Sequence, residues 1–160
     1  MIVVSDTGPL SYLAVIGYID KLPLLFGQVI IPFAVAEKLE HAQSPPEVRS
    51  LVHELPEWLV IEEATAADPA LAYLGLGEQE AISLAQRLKA GLLLCDDRDA
   101  RQAAQSRNIH VVGTLGVFVE AAQRRMLDLP DALRRLRRTN FRITEALVQQ
   151  VLREHGEPPA

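Results

Sequence analysis

Asp6 follows the short β-branched run Ile2–Ser5, and Asp96 and Asp97 follow the apolar run Leu92–Leu94. In an open parallel sheet, ligands bind outside the carboxyl ends of the strands. Two separate strands therefore deliver carboxylates to one edge. Carboxylates gathered in one place repel one another unless a cation lies between them. An all-oxygen set of this kind suits Mg²⁺ or Mn²⁺ rather than zinc. Glu37, Glu78 and Glu80 stand in segments of helical apolar spacing, and Asp99 opens another.

Each acid also has an ordinary structural reading. Asp6 or Thr7 can cap the next helix, with Pro9 near its first position. Asp96, Asp97 and Asp99 can favour a helix amino terminus in the same way. Glu78 and Glu80 fall at opposite borders of one apolar helix face, so periodicity does not choose between them. Glu37 shares a face with Glu40 and His41, away from Leu39, which reads as a solvated face. Asp6-Thr7-Gly8 matches a three-residue aspartic-protease signature, but that chemistry needs paired β-rich lobes. Cys95 has no evident histidine partner and reads as a buried structural thiol. His41, His53, His110 and His155 are scattered without ligand spacing. Gly75-Leu76-Gly77 lacks the rest of a dinucleotide fingerprint, and no P-loop is present.

The elements that must position these groups are legible from apolar patterning. Strands are predicted at Ile2–Ser5, Val29–Ile31, Trp58–Ile61, Leu92–Leu94 and His110–Val112. Between them, Leu10–Leu25 reads as two short helices broken near Gly17 and Pro23. Further helices are predicted over Phe33–His41, Glu47–Leu55, Gly77–Lys89, Asp99–Arg107 and Leu115–Leu127. Loops are expected at Gln43–Pro46 and Ala64–Ala70. The strands are short, apolar and not patterned in period two, which argues for a parallel sheet covered on both faces. Residues 1–127 make one α/β domain on this reading. Residues 128–160 make a helical extension, with helices over Pro130–Arg138 and Thr144–His155 and a frayed tail from Gly156.

Composition sets the outer limits. The chain has 160 residues, 49% of them hydrophobic and 23% charged. A chain of this size buries about 68–70% of its unfolded surface and needs no disulfide or structural metal to hold a core. One cysteine excludes a disulfide framework and a multi-cysteine zinc site. Aromatic residues make up 5% of the chain, which argues against an aromatic stacking platform for single strands. No basic region precedes the first apolar run, and no apolar run is long enough to span a bilayer, so the expectation is a cytoplasmic protein without membrane association. Net charge is −8 over residues 1–120 and +3 over residues 121–160. An acidic body with a basic end suits carboxylates gathered around a cation, with arginines elsewhere, better than it suits bulk-charge DNA binding.

The stretches IVVSDTGPLSYLA (2–14), VIIPFAVAEKLE (29–40), GLGEQEAISLAQRL (75–88), LLLCDDRDAR (92–101) and HVVGTLGVFVEA (110–121) resemble, in order and spacing, the PIN-domain family. That family contains metal-dependent ribonucleases, including VapC-type toxins. The resemblance implies a three-layer α/β/α sandwich with a parallel sheet of about five strands. Carried over position by position, it assigns Asp6, Glu37, Glu80 and Asp97 as catalytic acids that hold one or two Mg²⁺ or Mn²⁺ ions, with Glu78, Asp96 and Asp99 as rivals. The sequence departs from the family pattern where Glu80 replaces the usual aspartate, where Cys95 replaces a common hydroxyl residue, and where Asp96 doubles the acid beside Asp97.

What the resemblance implies chemically is hydrolysis of an RNA phosphodiester, as the toxin of a toxin–antitoxin pair. The implied partners are RNA, a small antitoxin protein and a second copy of the chain. An acidic site repels RNA unless cations stand nearby. Arg98 and Arg101 follow the acidic block, and Arg134, Arg135, Arg137 and Arg138 belong to the basic carboxy-terminal cluster; these are the candidates for RNA or partner contact. Two rivals remain. One is a catalytically silent PIN-fold module that docks RNA or a partner. The other is a receiver-like phospho-acceptor, which wants its acid pair after the first strand rather than the fourth.

Overall fold

The structure, a computed structural model, describes residues 1–64 and 68–155. The expected tail from Gly156 lies outside the described residues, and the expected loop at 64–70 lies partly outside them. The chain forms two compact units, Met1–Thr114 and the residues from Leu115 onward.

The first unit is built on five strands: β1 (Val3–Ser5), β2 (Val29–Pro32), β3 (Leu59–Glu62), β4 (Leu92–Leu94) and β5 (Val111–Val112). They form one sheet in the order β3-β2-β1-β4-β5, and every pairing is parallel. All three residues of β1 and of β4 are buried. This is why these strands read as unbroken apolar runs rather than alternating ones. Helices flank the sheet, as an α/β sandwich of the expected kind requires: α1 (Thr7–Ile16), α2 (Lys21–Phe26), α3 (Phe33–Glu40), α4 (Pro46–His53), α5 (Leu76–Leu88) and α6 (Arg98–Ser106). A 3₁₀ turn at Pro69–Leu71 leads into α5. One layer of core joins Ile82, Leu84 and Ala85 of α5 and Ala100, Ala103 and Ala104 of α6 to Val4, Leu93 and Val111 of the sheet.

The break between α1 and α2 falls at Gly17, whose φ of 86° is left-handed and closes α1 with backbone hydrogen bonds to Leu13 and Ala14. Pro23, expected to interrupt a helix, instead lies in the first turn of α2, where its missing N–H removes no helical bond. The strand order reverses between β1 and β4. Chain running outward from β1 builds β2 and β3 on one side, and β4 and β5 lie on the other. Their carboxyl ends therefore flank a crevice at the topological switch point.

The second unit contains most of α7 (Thr114–Gln123), with α8 (Leu129–Arg137) and α9 (Glu145–His155). The helix expected to reach Leu127 stops at Gln123, and Arg125 then takes a left-handed φ of 59°. Asp128 caps α8, accepting the Asp131 N–H at 3.1 Å. Leu129, Ala132, Leu133 and Leu136 are its buried stripe, while Arg134, Arg135 and Arg137 stand exposed on it.

Leu93 is fully buried in β4, between β1 and β5. Leu93→Ala is expected to cost about 2–5 kcal/mol through lost apolar transfer and the cavity left behind. A urea titration that shows an unchanged midpoint contradicts this placement of the core.

Candidate functional site

Asp6 ends β1 and occupies the cap position of α1, yet its side chain makes no capping hydrogen bond. Its backbone N–H donates to the Leu94 carbonyl at 2.8 Å, which extends the β1–β4 pairing into the crevice. The side chain is only 5% exposed. The Cys95 thiol donates to its Oδ2 at 3.7 Å, while Oδ1 is buried without a hydrogen-bond partner. Burial, and then the charge of Glu78, raise its pKa to about 6, partly offset by the Thr7 backbone N–H, Lys38 and the thiol. Burial and the neighbouring Asp6 charge push the Cys95 thiol up, so it stays a protonated donor.

Two further oxygens share this condition. Thr7 Oγ1 and Glu78 Oε2 are buried and unpartnered. Glu78 is the third residue of α5, from which a glutamate commonly reaches back to the cap residue. It folds over Gly75, where a Cβ would overlap Oε2, yet this oxygen makes no hydrogen bond. Gly77 brings the same helix close: a Cβ there would stand 3.4 Å from Asp6 Oδ1 and 3.8 Å from Thr7 Oγ1. A buried acceptor left unmatched costs roughly 1–3 kcal/mol. Asp6 Oδ1 and Thr7 Oγ1 both face Gly77, and Glu78 stands near enough for its charge to raise the Asp6 pKa; unmatched oxygens of this kind suit a hard cation. Mg²⁺ is commonly held by one or two carboxylates and completed by water and phosphate oxygens. Among the described residues, no group of three or more His, Cys, Asp or Glu side chains is placed to hold a metal.

The other expected acids have different surroundings. Glu80 Oε1 accepts the Ala34 N–H at 3.0 Å. Ala34 is the second residue of α3, whose own cap position is Pro32 and offers no side-chain acceptor. Glu80 thus caps α3 from the neighbouring helix α5. Glu37 is exposed on α3. Asp97 Oδ2 caps α6 through the Ala100 N–H at 2.9 Å. Asp96 accepts from Thr114 with both oxygens, from N–H at 2.7 Å and from Oγ1 at 2.6 Å. Burial raises its pKa, and the two Thr114 bonds and Arg101 oppose that rise. Asp99 is exposed in the first turn of α6, 3.8 Å from Arg98.

Of the arginines singled out, Arg101 donates to the Cys95 carbonyl at 3.2 Å and Arg98 is exposed. Arg134 and Arg135 both pair with Asp131, at 3.3 and 3.0 Å, and Arg137 pairs with Glu145. Arg138 is exposed. Lys38 was missed from sequence. It is exposed on α3, its charge lowers the Asp6 pKa, and its position in the sequence gave no signal of this.

A family model described as PIN domain matches residues 2–157. The chain belongs to the PIN-domain family. PIN domains are a nuclease-like fold. The chain also resembles a PilT N-terminus domain protein from the hyperthermophilic archaeon Sulfolobus solfataricus, with a TM-score of 0.51 and 14% identity over 90% of this chain and 100% of that one. At that identity the likeness concerns the fold. No curated protein matches the chain in sequence. Among the described residues, no helix of this PIN domain is long and apolar enough to cross a membrane.

The raised Asp6 pKa has a definite sign. The folded state binds the proton more tightly than the unfolded chain, so the stability this group contributes is present below pH 3.8 and is lost as pH rises through about 6. In chelator, Asp6→Asn is expected to be more stable than the parent above pH 7, by at most about 3 kcal/mol. The advantage should vanish near pH 3. Paired melting curves across this range test it, and a gain that persists at pH 3 contradicts the burial argument.

Proposed function

We propose that this PIN domain is a Mg²⁺- or Mn²⁺-dependent ribonuclease, with Asp6 and Glu78 as the principal metal-holding carboxylates and Thr7 beside them. The observation that carries the reading is the unsatisfied buried oxygen of Asp6 at the switch point of the sheet, with the orphaned oxygens of Glu78 and Thr7 supporting it. The chemistry that such an ion would supply there is activation of a water and neutralisation of phosphate charge. The chain's own groups do the rest. The Cys95 thiol holds Oδ2 of Asp6, while Oδ1 stays without a hydrogen-bond partner. Glu80 and Asp97, two of the four acids that the family pattern assigns, anchor the amino termini of α3 and α6 and so hold the walls of the crevice. Glu37 and Lys38 lie on the exposed rim. Lys38, Arg98 and Arg101 supply the positive charge that an incoming phosphodiester needs. The biological setting we propose is that of a cytoplasmic toxin, acting as a homodimer and held in check by a small antitoxin.

One second reading has its own support. Glu80 and Asp97 each spend an oxygen on a helix cap, which fits a catalytically silent module that binds RNA or a partner. Metal response separates the two. With millimolar Mn²⁺ the parent should melt several degrees higher, because an ion that binds only the folded state stabilises it by mass action. Asp6→Asn and Glu78→Gln should each lose most of that rise and nearly all Mn²⁺-dependent RNA cleavage. Glu80→Gln keeps an amide oxygen for the Ala34 N–H and should retain most of the rise. A parent whose melting temperature and RNA substrate are both untouched by Mn²⁺ is the silent module. A larger loss at Glu80→Gln than at Glu78→Gln restores the family assignment.

A further inference from the structure

α6 presents two unlike faces. Ala100, Ala103 and Ala104 are buried against the core. Arg98, Arg101, Gln102 and Gln105 instead line an open groove of about 520 Å³. Their spacing of three, four and seven residues places all four on one helical face, spread over about 10 Å of axis. The groove lies in the lower half of the size range of small-ligand clefts, about 300–1,000 Å³, and a single nucleotide fits such a volume. We propose that this groove is a base-reading subsite for single-stranded RNA, in which Arg98 and Arg101 hold phosphate and Gln102 and Gln105 read a base edge. The inference rests on the reading that the chain acts on RNA, and adds to it which surface selects the sequence.

The lining chemistry favours this occupant. Guanidinium groups pair phosphate oxygens in a bidentate fork. Arg101 spends one donor on the Cys95 carbonyl at 3.2 Å and has others left. The Arg98–Asp99 contact is 3.8 Å long between exposed side chains, and such a pair is readily exchanged for phosphate. A carboxamide offers a donor and an acceptor together, the pattern that matches the edge of adenine. The carboxylates of an acidic protein only accept, so they answer the arginines but give the glutamine oxygens no donor. A duplex is the poorer fit, since side chains cannot read the deep major groove of A-form RNA and its minor groove is recognised mostly by shape. The groove also joins the site. Arg101 is bonded to Cys95, whose thiol is bonded to Asp6, and α6 begins immediately after the acids that end β4.

The experiment uses full-length Asp6→Asn protein in EDTA, so that binding is read without turnover. Labelled nine-nucleotide A, C and U homopolymers are titrated by fluorescence anisotropy. The proposal expects at least a fivefold spread in affinity among them. Adding Gln102→Ala and Gln105→Ala should compress that spread below twofold with the melting temperature unchanged, since both glutamines are exposed. Arg98→Gln should weaken all three RNAs severalfold and reduce the slope of log affinity against log salt by about one. The proposal is overturned by a protein that does not discriminate among the bases, by a spread that survives the glutamine changes, or by polyglutamate displacing RNA as well as unlabelled RNA does. Base-selective binding without Mn²⁺-dependent cleavage by the unsubstituted protein keeps the groove and retires the hydrolytic reading. Cleavage with base preferences indifferent to the glutamines does the reverse.

Discussion

The site depends on one rung of backbone pairing. Asp6 donates its N–H to the Leu94 carbonyl at 2.8 Å, and this bond sets the end of β1 beside the end of β4. The register below it is Val3 with Leu92, Val4 with Leu93 and Ser5 with Leu94. A slip of one residue would turn Asp6 to the other face of the sheet. It would also part the carboxylate from the Cys95 thiol. Complete burial of both strands prevents that slip, because each side chain already occupies a close-packed position that a neighbour of different size cannot take.

Around this rung the helix amino termini are satisfied by acidic side chains, some local and some from other elements. Glu80 of α5 caps α3, and Asp97 caps its own α6. Asp96 binds Thr114 at the start of α7, and a Cβ on Gly8 would stand 3.0 Å from its Oδ2. Helix starts carry unsatisfied N–H groups and partial positive charge. Most acids at this edge relieve that condition. Asp6 and Glu78 each keep a buried oxygen without a hydrogen-bond partner, and the proposed metal site is drawn from that difference. An unsatisfied buried carboxylate is unfavourable in isolation, so its retention at the switch point of the sheet is an observation about ligands as much as about folding.

The order of elements was legible in the amino-acid sequence. Five short apolar runs alternate with amphipathic segments, and a buried parallel sheet explains both the runs and the absence of alternation within them. The acids were legible as a set, because strand ends and helix starts are where parallel α/β sheets gather polar groups. Their division of labour was not. Glu78 and Glu80 lie at opposite borders of the same helix face, and sequence periodicity treats them alike. Glu80 meets Ala34, 46 residues away, while Glu78 folds back over its own Gly75. Gln102 and Gln105 carried no signal either, since glutamine on an exposed helix face is ordinary.

What the sequence determined alone was therefore the α/β class, the parallel sheet and the group of residues from which a site is drawn. These follow from local propensity and from the period of apolar residues, which are properties of short windows. Only the tertiary structure decided which carboxylate oxygens are spent on helix caps and which stay unpaired. It also decided that Lys38 lies close enough to act on Asp6, and that the outer face of α6 lines a groove. The Glu80 cap and the Asp6–Cys95 contact depend on where a side chain meets an atom tens of residues distant. Hydrogen bonding and burial are settled by that meeting, and residue type alone does not encode it.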